Sequence, residues 1–360
     1  MKKALYTLIF TALTLAAVAQ QNPKNVILLI GDGMGPEQVR TLQYIKGGEP
    51  GVMTQFPYSG WSRTYSLSDS ITDSAAGGSA LSTGKKTING YIACNEDGSA
   101  NETLLEWAEK RGKATGIVVT VPITNATPAD FYAHVTSRKM EEEIARQLVY
   151  SGVDFAIGGY RNYFLPQKRK DGLNLIDSLT ARNYQVVSST QEVAQLEQLP
   201  AVGLLTEKNP PRAAKRGDWT EVAVNKALQL LSRDEDGFFL MIEGSQIDWG
   251  CHLNNFNYMC GELLDFDRAV QIAYNFAQSH PNTLVIVTAD HETGGLRINR
   301  KVDKLSAEQA KKKVRNYASW KKFYHTNTNV PVYAFGPGAE LFQGVMNNID
   351  IYSKIVKIWK

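Results

Sequence analysis

Four runs of apolar, largely β-branched residues punctuate the chain, and each gives way at once to polar residues. They are residues 25–30 before Gly31-Asp32-Gly33, 116–121 before Thr124-Asn125-Ala126-Thr127, 237–242 before Glu243, and 283–288 before Asp290-His291. Apolar runs of this length without alternation suit strands buried on both faces, as in a parallel sheet. Helical periodicity lies between them, over 104–111, 140–150 and 219–232. Strands alternating with helices predict an α/β fold, doubly wound, with a mostly parallel central sheet and helices on both faces. Such sheets gather ligands beyond the carboxyl ends of their strands, which is where the polar clusters fall. No repeat, low-complexity tract or linker marks a boundary, so residues 20–360 are expected to form a single domain.

The first residues read differently. Met1-Lys2-Lys3 is basic, residues 4–17 are apolar, and Ala17-Val18-Ala19 before Gln20 has the small residues of a cleavage site. Residues 1–19 are therefore expected to be a signal peptide, with export to a periplasm or secretion beyond it. The stretch is shorter than the roughly 18 apolar residues that a membrane anchor needs. At 360 residues, 43% hydrophobic and 21% charged, the chain has enough apolar surface for a large core, which excludes disorder as its main state. Removing Lys2 and Lys3 leaves 37 basic residues against 36 acidic, so charge offers no case for a nucleic-acid or membrane partner. Nine Lys or Arg against two acids between residues 300 and 322 read as a solvated surface helix. Of the three cysteines, Cys251 and Cys260 are close enough in sequence to pair, leaving Cys94 alone; equally, all three can be free.

The candidate chemistry rests on histidines and carboxylates. Of five histidines, His252, His291 and His325 sit in oxygen-rich or strand-end contexts. Asp248 and His252 are i and i+4, so a helix there would present both to one ion. Asp290 and His291 directly follow a strand. Mixed imidazole and carboxylate sets suit zinc, and oxygen-only sets suit magnesium. In Thr72-Asp73-Ser74-Ala75-Ala76-Gly77-Gly78, a polar cluster before small residues reads as a helix start with outward backbone N–H groups. Ser74 is the candidate nucleophile. No histidine base is apparent for it, and a divalent metal would make one unnecessary.

Seven segments resemble the alkaline phosphatase family, in order across almost the whole mature chain: residues 25–35 (NVILLIGDGMG), 72–76, 83–90, 126–128, 133–138, 289–295 and 324–326. The resemblance implies a phosphomonoesterase with Ser74 as nucleophile, passing through a phosphoserine, and Arg138 clamping the phosphoryl group with its planar fork. It implies one zinc on Asp248, His252 and His325, and a second on Asp290, His291 and Ser74. Asp32 would bridge the second zinc to a magnesium completed by Thr127 and Glu243. Relatives are often dimers, and no isolated apolar surface in the sequence argues for a homodimer here.

Two positions depart from the family pattern. Asn125 stands where relatives commonly have an acidic residue or histidine beside the magnesium shell, which puts the identity of the third ion in doubt. Trp249 stands where relatives often have Lys or His, so an altered phosphate affinity is expected. Outside the ligand sets, His134 reads as a packed helical residue, Asp73 equally as helix cap or as partner of Arg138, and Glu292 and Thr293 as supports. Two alternatives stay open: a phosphodiesterase on the same scaffold, or an exported protein that binds zinc or phosphate without catalysis.

Overall fold

The apolar runs become the middle strands of one large sheet in a computed structural model, which describes residues 22–359. The segment expected to be a signal peptide lies outside the described residues. The strands are β1 Asn25–Gly31, β2 Tyr58–Arg63, β3 Ala114–Pro122, β4 Phe155–Gly159, β5 Gln185–Val187, β6 Ala201–Leu204 and β7 Phe238–Gly244. They continue with β8 Thr283–Thr288, β9 Glu292–Thr293, β10 Arg297–Ile298, β11 Ala318–Ser319, β12 His325–Thr326, β13 Val330–Phe335 and β14 Gly344–Asn347. Ten of them form one sheet in the order β14-β2-β13-β8-β1-β7-β3-β4-β6-β5. Only β13 runs against its neighbours, and the other pairings are parallel. The expected doubly wound, mostly parallel α/β architecture is what the chain adopts.

Alternation along β1 shows why its sequence carries no polar face. Ile27 and Leu29 enter one hydrophobic core while Val26, Leu28 and Ile30 enter a second, on opposite sides of the sheet. Helices Pro36–Ile45, Trp219–Leu231 and Phe256–Ser279 cover the first core. Helices Leu104–Glu109, Glu141–Tyr150 and Ile349–Ile358 cover the second. With both faces dry, parallel strands must be apolar throughout, and their polar residues are pushed to the ends. No helix among the described residues is long and apolar enough to cross a membrane.

Some expectations change. The basic stretch is not one helix: a short 3-10 turn, Arg300–Lys304, leads to helix Ala307–Lys313, which Ser306 and Gln309 start with a capping box, and a second 3-10 turn follows at Val314–Tyr317. Val302, Ala310 and Val314 point into the core and most of the charges face solvent. Cys94, Cys251 and Cys260 are all buried and free, so the Cys251–Cys260 pairing does not form. His134 is not helical; its ring is held between the Ala93 carbonyl and the Glu106 carboxylate, both at 2.9 Å.

At the amino-terminal ends of β3 and β4, one pair of acids strains the fold at alkaline pH. Thr115 joins Glu109 and Asp154, donating its backbone N–H to Asp154 at 2.8 Å, and burial pushes the Glu109 carboxyl up to about 8. A carboxyl raised in the folded state contributes stability below its unfolded pKa and loses it as pH rises through the folded value. Glu109→Gln is therefore expected to raise the melting temperature by a few degrees at pH 9 and to change it little at pH 4.5. Thermal melts of both proteins across that range check this.

Candidate metal centre

Four adjacent strands deliver polar residues to one edge of the sheet, three of them carboxylates. Asp32 follows β1, Glu243 ends β7, Asp290 and His291 follow β8, and the turn after β3 leads to Asn125 and Thr127. β7 runs straight into helix Gln246–His252, which puts Asp248 and His252 on one face as their spacing anticipates. His325 arrives through β12, whose antiparallel pairing with β9 sets His325 opposite Thr293. Gly33 has a positive φ, and a Cβ there would meet Thr293 Oγ1 at 2.8 Å and Asp248 at 3.0 Å. The backbone comes this close only because the residue is glycine.

The three imidazoles all turn Nε2 inward. His252 Nδ1 faces the carbonyl of Phe323, and His325 Nδ1 faces the carbonyl of Thr72 at 2.9 Å. A carbonyl only accepts, so each Nδ1 carries the proton and each Nε2 keeps a bare lone pair. Those two lone pairs lie 3.1 Å apart, and both face Asp248, at 3.3 and 3.6 Å. Thr293 Oγ1 gives its proton to Asp248 at 2.5 Å and so accepts from His291 Nδ1 at 3.2 Å. The His291 Nε2 is thereby bare as well, 3.1 Å from Asp290, 3.5 Å from Asp32 and 3.1 Å from Ser74 Oγ. Lone pairs and carboxylates facing one another repel unless protons or metal cations sit among them.

Charge gives the same answer. Asp32, Glu243, Asp248 and Asp290 are all buried. Burial, and then Asp290, Asp248 and Glu243, push the Asp32 carboxyl well above its ordinary range. Burial also raises Glu243, although Ser245 donates to it at 2.7 Å. Burial opposes ionisation of Asp248 too, but positive charge at His252, His291 and His325, which bound cations would supply in place of protons, outweighs it and holds that carboxyl down. Burial and then His291 hold His325 below its usual value. Asp32 Oδ1 and Asp290 Oδ2 are buried without a hydrogen-bond partner, and Thr127 Oγ1 and Glu243 Oε1 have at most each other, a costly state for a protein to leave uncompensated. Asp248, His252 and His325 form one compact group of ligand atoms, and Asp32, Asp248 and His291 form a second. Each group has the imidazole and carboxylate mixture that zinc accepts, and Asp32, Thr127 and Glu243 offer oxygens only, as magnesium prefers.

Ser74 begins helix Ser74–Thr83, with Asp73 as its N-cap. Asp73 does both things expected of it: Oδ1 accepts from the backbone of Ala76 and Gly90, and Oδ2 accepts from Arg138 at 3.1 Å. The helix reaches the centre because its next residues are small. A Cβ on Gly77 would lie 2.9 Å from the Asp290 carbonyl. Every residue the sequence proposed for the site, from Asp32 to His325, is thus brought to this one edge.

Comparison with known proteins fits this edge of the sheet. The family profile described as alkaline phosphatase matches residues 23–316. Alkaline phosphatase 3 of Bacillus subtilis is 33% identical, with 94% of this chain and 89% of that protein covered. The Escherichia coli alkaline phosphatase is 31% identical over 95% of this chain and 87% of its own. The solved structure of alkaline phosphatase from the Antarctic bacterium TAB5 superposes with a TM-score of 0.86 at 39% identity, covering 94% of this chain and 98% of that one. A glutamate-for-histidine variant of the TAB5 enzyme has magnesium bound in its M3 site.

The chain belongs to the alkaline phosphatase family. It is accordingly a hydrolase of phosphate monoesters. Within this alkaline phosphatase, Asn125 spends its side-chain oxygen as the cap of helix Ala126–Ala129, accepting from Ala126 N at 2.8 Å, with Arg138 3.5 Å away. Trp249 is half-buried on the helix that carries Asp248 and His252. The support that sequence reasoning assigned to Glu292 and Thr293 is present, and it extends further than the sequence suggests. Glu292 accepts from Gln38 at 3.0 Å and from Thr326, and Gln38 also donates to the Thr293 carbonyl at 2.9 Å. Gln38, Ser245 and Thr326 escape detection in the sequence because each is one polar residue among other polar residues and carries no spacing signal of its own.

Thr293→Val removes the hydroxyl shared by Asp248 and His291 while keeping shape and volume. If this centre holds a divalent metal, its affinity is expected to fall about tenfold to hundredfold, as it does when supporting hydrogen bonds to ligands are lost, with the fold retained. Competitive metal titration and circular dichroism measure the two effects separately.

Proposed function

We propose that this chain is an exported phosphomonoesterase acting through a phosphoserine at Ser74, with two zinc ions and one magnesium ion as resident cofactors. Residues 20–360 are the catalytic domain and residues 1–19 the export signal in this reading. The observation that carries it is the convergence of three bare imidazole nitrogens and buried carboxylates beside Ser74 Oγ, which lies 3.1 Å from His291 Nε2. Asp248, His252 and His325 would hold one zinc; Asp290, His291, Asp32 and Ser74 the other; Asp32, Thr127 and Glu243 the magnesium. When bound, such ions lower the pKa of a coordinated hydroxyl and neutralise charge on attacking and leaving oxygens.

The chain's own residues do the rest. Ser74 Oγ attacks phosphorus as the ester P–O bond breaks and the alcohol leaves. The Arg138 fork, held by Asp73, grips oxygens of the transferring group that are not reacting. Water then attacks the phosphoserine from the face the alcohol vacated, freeing Ser74 and inorganic phosphate. Two inversions give net retention at phosphorus. A monoester dianion offers the guanidinium more anionic oxygens than a diester does, which favours monoesters over the phosphodiesterase alternative. Arg138 would serve a phosphate-binding protein as well, but Ser74 at a helix start has no task in one that merely binds zinc or phosphate.

Ser74→Ala should abolish the phosphoenzyme and lower kcat about a thousandfold or more while metal content stays the same, since loss of a nucleophile typically costs at least that. Arg138→Ala should weaken phosphate binding about tenfold and leave measurable hydrolysis, an effect of roughly 1.4 kcal/mol. Assays on p-nitrophenyl phosphate and bis-p-nitrophenyl phosphate with metal analysis decide both points. Faster diester cleavage by the unmodified enzyme would overturn the assignment, as would label trapped on a residue other than Ser74.

A further inference from the structure

Exposed apolar side chains scattered singly are ordinary, whereas several gathered in one place mark a binding surface. Of the ten that are exposed among the described residues, three flank the histidines of one ligand group: Leu253, 59% exposed, follows His252, and Phe323 and Tyr324, 59% and 72% exposed, precede His325. Their backbone is not loose. The Phe323 carbonyl holds His252 Nδ1, Lys321 N and Lys322 N donate to the Gly294 carbonyl at 3.0 and 3.1 Å, and Gly294 N donates to the Tyr324 carbonyl at 2.9 Å. Leu253 N donates to the Trp249 carbonyl at 3.2 Å, so Trp249 stands one turn before Leu253 on the same helix face. A fixed main chain thus presents apolar side chains to solvent beside His252 and His325.

Their position relative to Ser74 gives them a role. Ser74 Oγ lies against His291, whereas Asp248, His252 and His325 form the other ligand group. Displacement at phosphorus is in line, so the leaving oxygen emerges opposite the attacking one. With Ser74 beside His291, the leaving oxygen is expected on the side of His252 and His325. We propose that Trp249, Leu253, Phe323 and Tyr324 form an apolar rim that receives the alcohol portion of the substrate. The enzyme accordingly prefers phosphomonoesters of aryl and other apolar alcohols to those of small polyols. Aromatic rings gain from offset or edge-to-face contact with an aryl group as well as from covering it. A polyol has no such surface to offer, and its hydroxyls would lose water against the rim. The inference rests on the monoesterase reading above and names the substrate class of that same site.

The quantity to measure is the ratio of kcat/KM for 1-naphthyl phosphate to kcat/KM for glycerol 3-phosphate in the zinc- and magnesium-loaded protein. The double variant Phe323→Ser with Tyr324→Ser is expected to lower this ratio about tenfold, mainly through KM for the aryl ester, with zinc content and melting temperature close to those of the parent. The corresponding double leucine variant keeps an apolar surface and should retain most of the ratio, and Leu253→Ser alone should lower it in the same direction. An unchanged ratio in both serine variants, or an equal fall on both substrates, would overturn the rim and leave these side chains as a surface for another protein. Failure of the parent to hydrolyse either monoester would instead overturn the monoesterase reading, a result visible before any variant is made.

Discussion

Carboxylates crowded at the ends of parallel strands, with too little positive charge of their own to settle them, are the constraint on which this structure depends. Asp32, Glu243, Asp248 and Asp290 are buried together because β1, β7 and β8 are neighbours whose faces are both covered, leaving only their ends for polar residues. Arg138 contributes one guanidinium, and much of it is committed to Asp73. Three imidazoles add lone pairs rather than protons to the centre. A fold that pays for such an arrangement without cations would be poorly stable, whereas divalent ions turn the same repulsion into a binding site.

The surroundings hold the donors in that orientation. Backbone carbonyls of Thr72 and Phe323 fix which nitrogen of His325 and His252 is free. Thr293 ties Asp248 to His291, and the β9–β12 pair that carries Thr293 also brings His325 to its place. Beneath them, Glu292 collects Gln38, Thr326 and the backbone of Gly295 and Leu296. Rigidity here matters because metal ligands misplaced by a fraction of an ångström lose both affinity and reactivity.

What could be read in the sequence was whatever carries a period or a spacing. The buried central strands β1, β3, β7 and β8 are continuous apolar runs, and the polar residues after them mark the site. Asp248 and His252 share a helix face at i and i+4, and the helix is there. The outer strands were not legible, for physical reasons: β2, YSGWSR, alternates buried and exposed positions with little apolar content, and β13 contains Pro331. The basic stretch read as one helix because charge obscured the three core-facing residues that divide it. The approach of His325 to Asp248 depends on a two-residue ladder, too short to leave any pattern. Nor could spacing show that Cys251 and Cys260 stay apart, since that depends on how two successive helices pack.

Anomalous X-ray scattering at the zinc edge from crystals of the metal-loaded protein tests the central claim most directly. Two peaks are predicted, one among Asp248, His252 and His325 and the other among Asp32, Asp290, His291 and Ser74. Fully active crystals with no anomalous density at these positions, or with metal bound elsewhere, would contradict it.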